Sequence, residues 1–332
     1  MRHIQVPVLL LFFLFCSFYP AAAQQDSAVI LQEKGYAAYQ KQDYDSAVFY
    51  FTQMVRIKPT DTSYLNLSMA YLGKNDQENS TRTVNKAIEL NPEYAEAFEQ
   101  RGTIYMGKNM QQAFDDLSKA IELNPKSKTS YFKRIMIYTA AKQTTAALED
   151  ANRLINVNDK DAESYTLRAS LYVMGDNYDA AIIDCSKALE LNPAYATAFG
   201  IRGGAYLEKN SLDTALRDFT KAIELDPQES TNYNNRANVY FKKKAFQQAL
   251  DNISKAIAIS NNDDSYYISR GKVYTELKNY ALALQDMEKA IALNVQNADA
   301  YKGLSDIYKL QGKTELSEIN RKKAAALKNE RQ

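Results

Sequence analysis

The chain has 332 residues, with 41 Lys and Arg against 40 Asp and Glu, one His, two Cys and no Trp. So even a charge balance argues against nucleic acid or an anionic membrane surface as the main partner, because neither would meet a strong complementary field. The length could hold two or three ordinary domains, but a phrase that recurs along the sequence leaves room for one elongated array instead.

Residues 1–23 stand apart. Arg2 and His3 form a short polar start, 6–18 is an apolar run, and Pro20-Ala21-Ala22-Ala23 offers an A-x-A cleavage site. This is the pattern of a secretory signal peptide. Cleavage is expected after Ala23, with export to a periplasmic or extracellular compartment. The apolar run is shorter than a membrane-spanning helix requires, and no later segment is long and apolar enough to be one. Cys16 follows Phe15 where a bacterial lipid-attachment motif would place a small residue, which argues against a lipid anchor. Loss of the leader takes Arg2, His3 and Cys16 with it, leaving 40 basic residues against 40 acidic ones and Cys185 as the single thiol. With no histidine and one cysteine, the mature chain has no intramolecular disulfide, no histidine-based triad and none of the usual zinc ligand sets. Packing must hold it together.

After a short lead at 24–27, the sequence reads as nine repeats near 28–60, 61–94, 95–127, 128–161, 162–195, 196–229, 230–263, 264–297 and 298–331. Each predicts helix, turn, helix, turn. The recurring phrase is KAIELNP at Lys86 and Lys119, KALELNP at Lys187, KAIELDP at Lys221, KAIAISN at Lys255 and KAIALNV at Lys289. Its starts are separated by 33, 68, 34, 34 and 34 residues. A period near 34 signals helical pairs that bury their apolar faces only by stacking on neighbours.

The columns keep one register. The fourth position holds Leu31, Tyr64, Phe98, Tyr131, Tyr165, Phe199, Tyr233, Tyr267 and Tyr301, and seven residues on a tyrosine follows in every repeat but the first. That spacing places both side chains on one stripe of the first helix. Small residues recur where helices must approach closely: Gly35, Gly102, Gly203 and Gly271 in first helices, then Ala47, Ala113, Ala147, Ala181, Ala215, Ala249 and Ala283 in second helices. Pro59, Pro92, Pro125, Pro193 and Pro227 stop second helices. Some repeats depart. Repeat 2 puts Ser68 and Ser80 in small-residue columns, repeat 3 is one residue short between Asn109 and Ala113, and repeat 4 has Ile135 where glycine is expected. Packing is therefore expected to be least regular in repeats 2 to 4, and Ser317 and Arg321 are expected to give the last helix a polar outer face.

On these columns the chain resembles the tetratricopeptide repeat (TPR) family, over essentially all of the mature sequence. The resemblance implies an all-α, right-handed TPR superhelix, an α-α solenoid of about nine repeats, with first helices lining a concave surface. It implies little about reaction or partner.

Arginine stands at the seventh position of six consecutive repeats, as Arg101, Arg134, Arg168, Arg202, Arg236 and Arg270. Asp116, Asp150, Asp184, Asp218 and Asp286 follow fifteen or sixteen residues later, and Asn252 replaces the acid after Arg236. One acid per arginine predicts a structural ion-pair ladder between paired helices rather than a rail for anionic ligands. Cys185 occupies a column otherwise filled by Phe51, Val84, Leu117, Phe219, Ile253 and Met287, and reads as a core residue. There is no Gly-rich phosphate loop, metal-ligand cluster or nucleophile motif, so no catalytic, cofactor or metal residue is assigned.

In this family the concave surface is built mainly from positions 2, 5, 9 and 12 of first helices. There Tyr36, Leu65, Met69, Phe132 and Met136 form an apolar section, suited to a hydrophobic peptide or an amphipathic helix unless adjacent first helices bury it. Gly200, Gly204, Asn234, Asn238 and Lys272 form a polar one. Two glycines on one helical face, each costing about 1 kcal/mol against alanine, suggest close approach of a partner backbone, or else drift in a tolerant repeat. Asn235 and Asn238 match isolated positions of known peptide clamps, but Ser265, Ser269, Asp299 and Gly303 stand where a carboxylate clamp needs basic groups. The expected function is a noncatalytic exported scaffold that binds a protein or peptide; a periplasmic assembly factor and a self-associating structural protein are the alternatives.

Overall fold

The computed structural model describes residues 21–329. The leader expected at 1–23, with Arg2, His3 and Cys16, lies outside the described residues but for its last three positions. Among the described residues there is no strand. The all-α array expected from the columns is present among the described residues as nine helical pairs, and the chain divides after Val157 into two compact units.

The first unit holds α1 (Ala21–Gln40), α2 (Tyr44–Ile57), α3 (Asp61–Gly73), α4 (Gln77–Leu90), α5 (Ala95–Tyr105), α6 (Met110–Leu123), α7 (Lys128–Ala140) and α8 (Thr144–Val157). The second holds α9 (Ala162–Met174), α10 (Tyr178–Leu191), α11 (Ala196–Glu208), α12 (Leu212–Leu225), α13 (Ser230–Lys242), α14 (Phe246–Ile259), α15 (Asp264–Glu276), α16 (Tyr280–Leu293), α17 (Ala298–Leu310) and α18 (Thr314–Asn329). Residues 24–27, read as a lead, are helical within α1.

Each odd helix packs on the even helix that follows it. Within each unit, first helices also touch first helices of neighbouring repeats, as α3 does α5 and α11 does α13, whereas second helices make no comparable contact with one another. One face of each unit is therefore a row of first helices. The alanine columns explain the closeness of the pairs: Ala47, Ala113, Ala147, Ala181, Ala215, Ala249 and Ala283 are all fully buried. At Gly35 an added Cβ would lie 2.4 Å from the Phe51 ring, so that position admits no side chain beyond hydrogen.

Second helices end at a cap with extended φ and ψ near 90°, as at Asn91, Asn124, Asn192 and Asp226, each just before a proline that disfavours helix in its predecessor. Ser260 and Asn294 adopt nearly the same cap without one. First helices end differently. Gln42, Asn75, Lys142, Asp176, Asn210, Lys244 and Lys278 stand at φ between 56° and 62°, and Gly312 holds the equivalent place at 74°. At each the chain closes a Schellman turn, illustrated by the N–H of Asp43 on the Ala38 carbonyl at 3.0 Å and that of Gln42 on Tyr39 at 2.9 Å. The short third repeat has no such residue and turns instead with the Asn109 N–H on the Tyr105 carbonyl at 2.8 Å.

Two expectations need correcting. Repeats 2 and 3 pack as closely as the others, and only the α7/α8 pair, with buried Ile135 in the glycine column, is looser. In repeat 2 the serines replace a small apolar contact by a reciprocal one: Ser68 Oγ donates to the Ser80 carbonyl at 2.9 Å and Ser80 Oγ to that of Ser68 at 2.8 Å. The last helix is also less polar outside than expected. Ser317 turns inward toward Ser305, 3.1 Å between hydroxyls, while Leu316 and Ile319 are exposed.

Candidate functional site

The arginines lie between helices, not in the open face. Arg134 on α7 gives Nε and Nη2 to the two carboxylate oxygens of Asp150 on α8, both at 2.7 Å. Arg101 with Asp116, Arg168 with Asp184, Arg202 with Asp218 and Arg270 with Asp286 repeat the two-pronged bond at 2.7 to 2.9 Å. Bidentate pairing of this kind holds the guanidinium in plane. Hydrogen bonding to the aspartate raises the pKa of Arg101, Arg168, Arg202 and Arg270 further above its ordinary value.

A third partner was not read from the sequence. Nη1 of Arg101 donates to Asn85 on α4 at 2.9 Å, that of Arg134 to Ser118 on α6 at 3.1 Å, that of Arg202 to Ser186 on α10 at 3.2 Å, and that of Arg236 to Thr220 on α12 at 3.2 Å. Each of these four arginines thus ties its own pair to the second helix of the repeat before. The signal was present as a column of Asn, Ser or Thr just before the KAIEL-type phrases at Lys86, Lys119, Lys187 and Lys221, whereas Glu288 precedes the one at Lys289. Where Asn252 replaces the acid, Arg236 keeps one bond, Nε to Oδ1 at 2.9 Å.

Cys185 is fully buried beside Ala169, Ala181 and Ala205, and burial pushes its thiol up to about 12. Among the described residues no group of His, Cys, Asp and Glu has the geometry of a metal site.

The apolar section divides. Leu65 is 6% exposed and packs with Val84, Ala87, Ala97 and Ile104, with Met69 half-buried against the same cluster. Tyr36 is 38% exposed, its ring edge-on to Phe51 and its hydroxyl donating to Asn66 Oδ1 at 2.8 Å. Phe132 is half-buried beneath the Lys128 ammonium, and Met136 is 58% exposed. Between them lies a polar cluster that was not read from the sequence. Glu99 accepts from Ser127 and Ser130 at 2.7 Å each, and Lys133 donates to Thr103 at 2.6 Å. Burial lowers the Lys133 pKa, only partly offset by Glu99. These groups satisfy one another, so the cluster offers little to a ligand.

The polar section is partly gathered. Gly200 and Gly204 on α11 line a cavity of about 510 Å³ bounded by α9, α11 and the start of α13, with Val173, Ile201, Asn232 and Asn235 on its walls. An added Cβ at Gly200 would meet Asn232 Oδ1 at 2.6 Å, whereas at Gly204 it would meet nothing within 4 Å. Asn234 is buried away from this cavity with Oδ1 unpartnered, Asn238 is half-buried, and Lys272 lines a separate cavity of about 320 Å³ between α15 and α17. Asn232 was missed because it occupies the third position, ordinarily covered; with no side chain at Gly200, its carboxamide takes that space and lines the cavity.

With this geometry in place, comparison with known proteins settles the family. Models described as tetratricopeptide repeat match residues 28–61, 62–94, 162–195 and 264–297, and one described as TPR repeat matches 203–244. The chain belongs to the tetratricopeptide repeat family. It is similar to Sperm-associated antigen 1 of Homo sapiens, 32% identical over 88 residues, which is 26% of this chain and 10% of that protein. It is also similar to Photosystem I assembly protein Ycf3 of Prochlorococcus marinus, 27% identical over 99 residues, 28% of this chain and 57% of that one. The chain thus spans about a tenth of the length of the first and rather more than half of the second. The crystal structure of a tetratricopeptide repeat protein from Parabacteroides merdae superposes with a TM-score of 0.61 at 23% identity, covering 78% of this chain and 98% of that one, and shows the shared fold. No described helix is long and apolar enough to cross a membrane.

Proposed function

We propose that this chain is a noncatalytic scaffold that binds a protein or peptide on its row of first helices and so holds a larger complex together. The observation that carries the reading is the cavity over Gly200 and Gly204, a concave site on that row from which side chains have been removed. Family membership supports it, since these repeats present surfaces rather than reactive groups, and the name of the Prochlorococcus relative is that of an assembly protein. Export through the 1–23 leader completes the proposal and would place the scaffold in the periplasm or outside the cell.

A photo-crosslinking residue placed at Gly204, compared with one at Ile183 on the exposed side of α10, tests the reading in cells. Crosslinks to a partner at 204 and not at 183 are expected; equal yields at both would overturn it. The same cells test export, for which the mature chain is expected to start at Gln24 in the exported fraction. Retention of the 1–23 segment there would refute cleavage.

A further inference from the structure

Asn232 is 6% exposed and lines the cavity in the second unit. An amide that lines a cavity can exchange water for the main-chain groups of a ligand. Its Oδ1 lies over the bare backbone of Gly200, so both a donor and an acceptor are offered where a second polypeptide backbone could reach them. Gly204, one turn on, has open space in place of a side chain, and no steric contact requires glycine there.

The walls set the chemistry of what enters. Val173 and Ile201 give an apolar side. At the rim stand Asp226, the cap residue after α12, and Glu229, the cap residue before α13, both exposed. Asp226 Oδ1 accepts from the Gln228 N–H and Glu229 Oε1 from the Thr231 N–H, which leaves each carboxylate an oxygen for a ligand. No lysine or arginine lines the cavity, and the C-terminal end of α12 adds negative partial charge beside Asp226.

Resting on the scaffold reading above, we propose that this cavity seats an extended partner segment through a lysine side chain. The unbranched stem lies along Val173 and Ile201 above Gly204, the ammonium meets Asp226 and Glu229, and Asn232 pairs with the main-chain amide of the segment. Long cationic side chains bury their methylenes in this manner while keeping the charge at a wet rim.

Fluorescence anisotropy with the full chain and labelled nine-residue peptides tests this. One peptide has a central lysine in an alanine and serine background, one norleucine in its place, and one glutamate; spermidine serves as a small-cation competitor. The lysine peptide is expected to bind at least tenfold more tightly than the glutamate peptide, with norleucine between. Gly204→Leu, which improves helix propensity and fills open space, should weaken the lysine peptide at least tenfold while leaving the helical circular dichroism unchanged. The paired change Asp226→Asn with Glu229→Gln should abolish the preference for lysine over norleucine, and Asn232→Leu should weaken all three peptides. Equal or tighter binding of the glutamate peptide would overturn the proposal, as would an unchanged affinity in Gly204→Leu. So would full displacement by micromolar spermidine of a lysine peptide that norleucine cannot replace at any concentration, since that marks a site for small cations only. If no peptide binds while crosslinks at 204 to a folded partner persist, the lysine seat falls and the scaffold reading stands.

Discussion

Replacing Asp150 with asparagine keeps the shape of the α7/α8 clamp and removes its negative charge. Arg134 and Asp150 are 9% and 2% exposed in their side chains, so the guanidinium would be left charged between helices with an amide nitrogen in place of one accepting oxygen. Breaking a buried pair from one side costs about 3–5 kcal/mol. The bond from Arg134 Nη1 to Ser118 survives, so about 3 kcal/mol is expected for Asp150→Asn. The chain contains its own converse at Asn252, which accepts one bond from Arg236. At an effective dielectric of 20, a full charge about 4 Å from the guanidinium is worth about 4 kcal/mol. Desolvating the new carboxylate and losing the Asn252 Nδ2 bond to the Gln248 carbonyl offset most of this, leaving a gain of about 1 kcal/mol for Asn252→Asp. Because repeat arrays need not unfold in one step, the assay is native-state hydrogen exchange in α7/α8 and α13/α14, alongside urea unfolding followed at 222 nm. Asp150→Asn should open α7/α8 first, and Asn252→Asp should protect α13/α14. Shifts below about 0.5 kcal/mol in both would show that the ladder is not a significant source of coupling.

Other outcomes follow from particular residues. Lys244→Gly and Lys278→Gly, at φ of 59° and 58°, should each stabilise by about 0.5–1 kcal/mol, read as a rise in urea midpoint; a fall would show that the turns are not held left-handed. Met136→Glu should change stability by no more than about 0.5 kcal/mol, whereas Leu65→Glu, burying a carboxylate in the repeat 2 core, should cost about 4 kcal/mol or more; similar midpoints for the two would refute the division of the apolar section. Cys185 should not react with thiol reagents at pH 8 until the chain unfolds. Its native thiol stays protonated up to about 12 while the unfolded thiol ionises near 9.0, so the native state binds the extra proton and stability falls as pH rises through that window. The fall approaches about 1.4 kcal/mol per pH unit, and Cys185→Ala should lack that component; identical slopes for the two chains would refute it.

The pairs and the ladder were legible because they depend on residues that repeat in register. Alanine in a crossing column permits only close approach, and an arginine sixteen residues before an aspartate meets it in any helical hairpin of this length. The turns were less legible: Lys142, Lys244 and Lys278 sit in a backbone region that favours glycine, imposed by the helix ends they join rather than by their own preference. Leu65 and Met136 are both apolar and both in concave-face columns, yet one is buried and the other open, since exposure there depends on the side chains of adjacent first helices. Asn232 could be found only by asking what takes the space of an absent side chain at Gly200.

The arginine clamps have a direction. Nη1 of Arg101, Arg134, Arg202 and Arg236 always reaches back to the second helix of the preceding repeat and never forward. Shortening the array from its C-terminal end therefore leaves every remaining guanidinium with its full set of partners, whereas shortening it from the N-terminal end orphans one nitrogen at the new edge. A chain that appears N-terminus first, as in synthesis or threading through a membrane pore, can latch each arriving hairpin onto structure already formed. The array is built to be completed in one sense, like a ratchet.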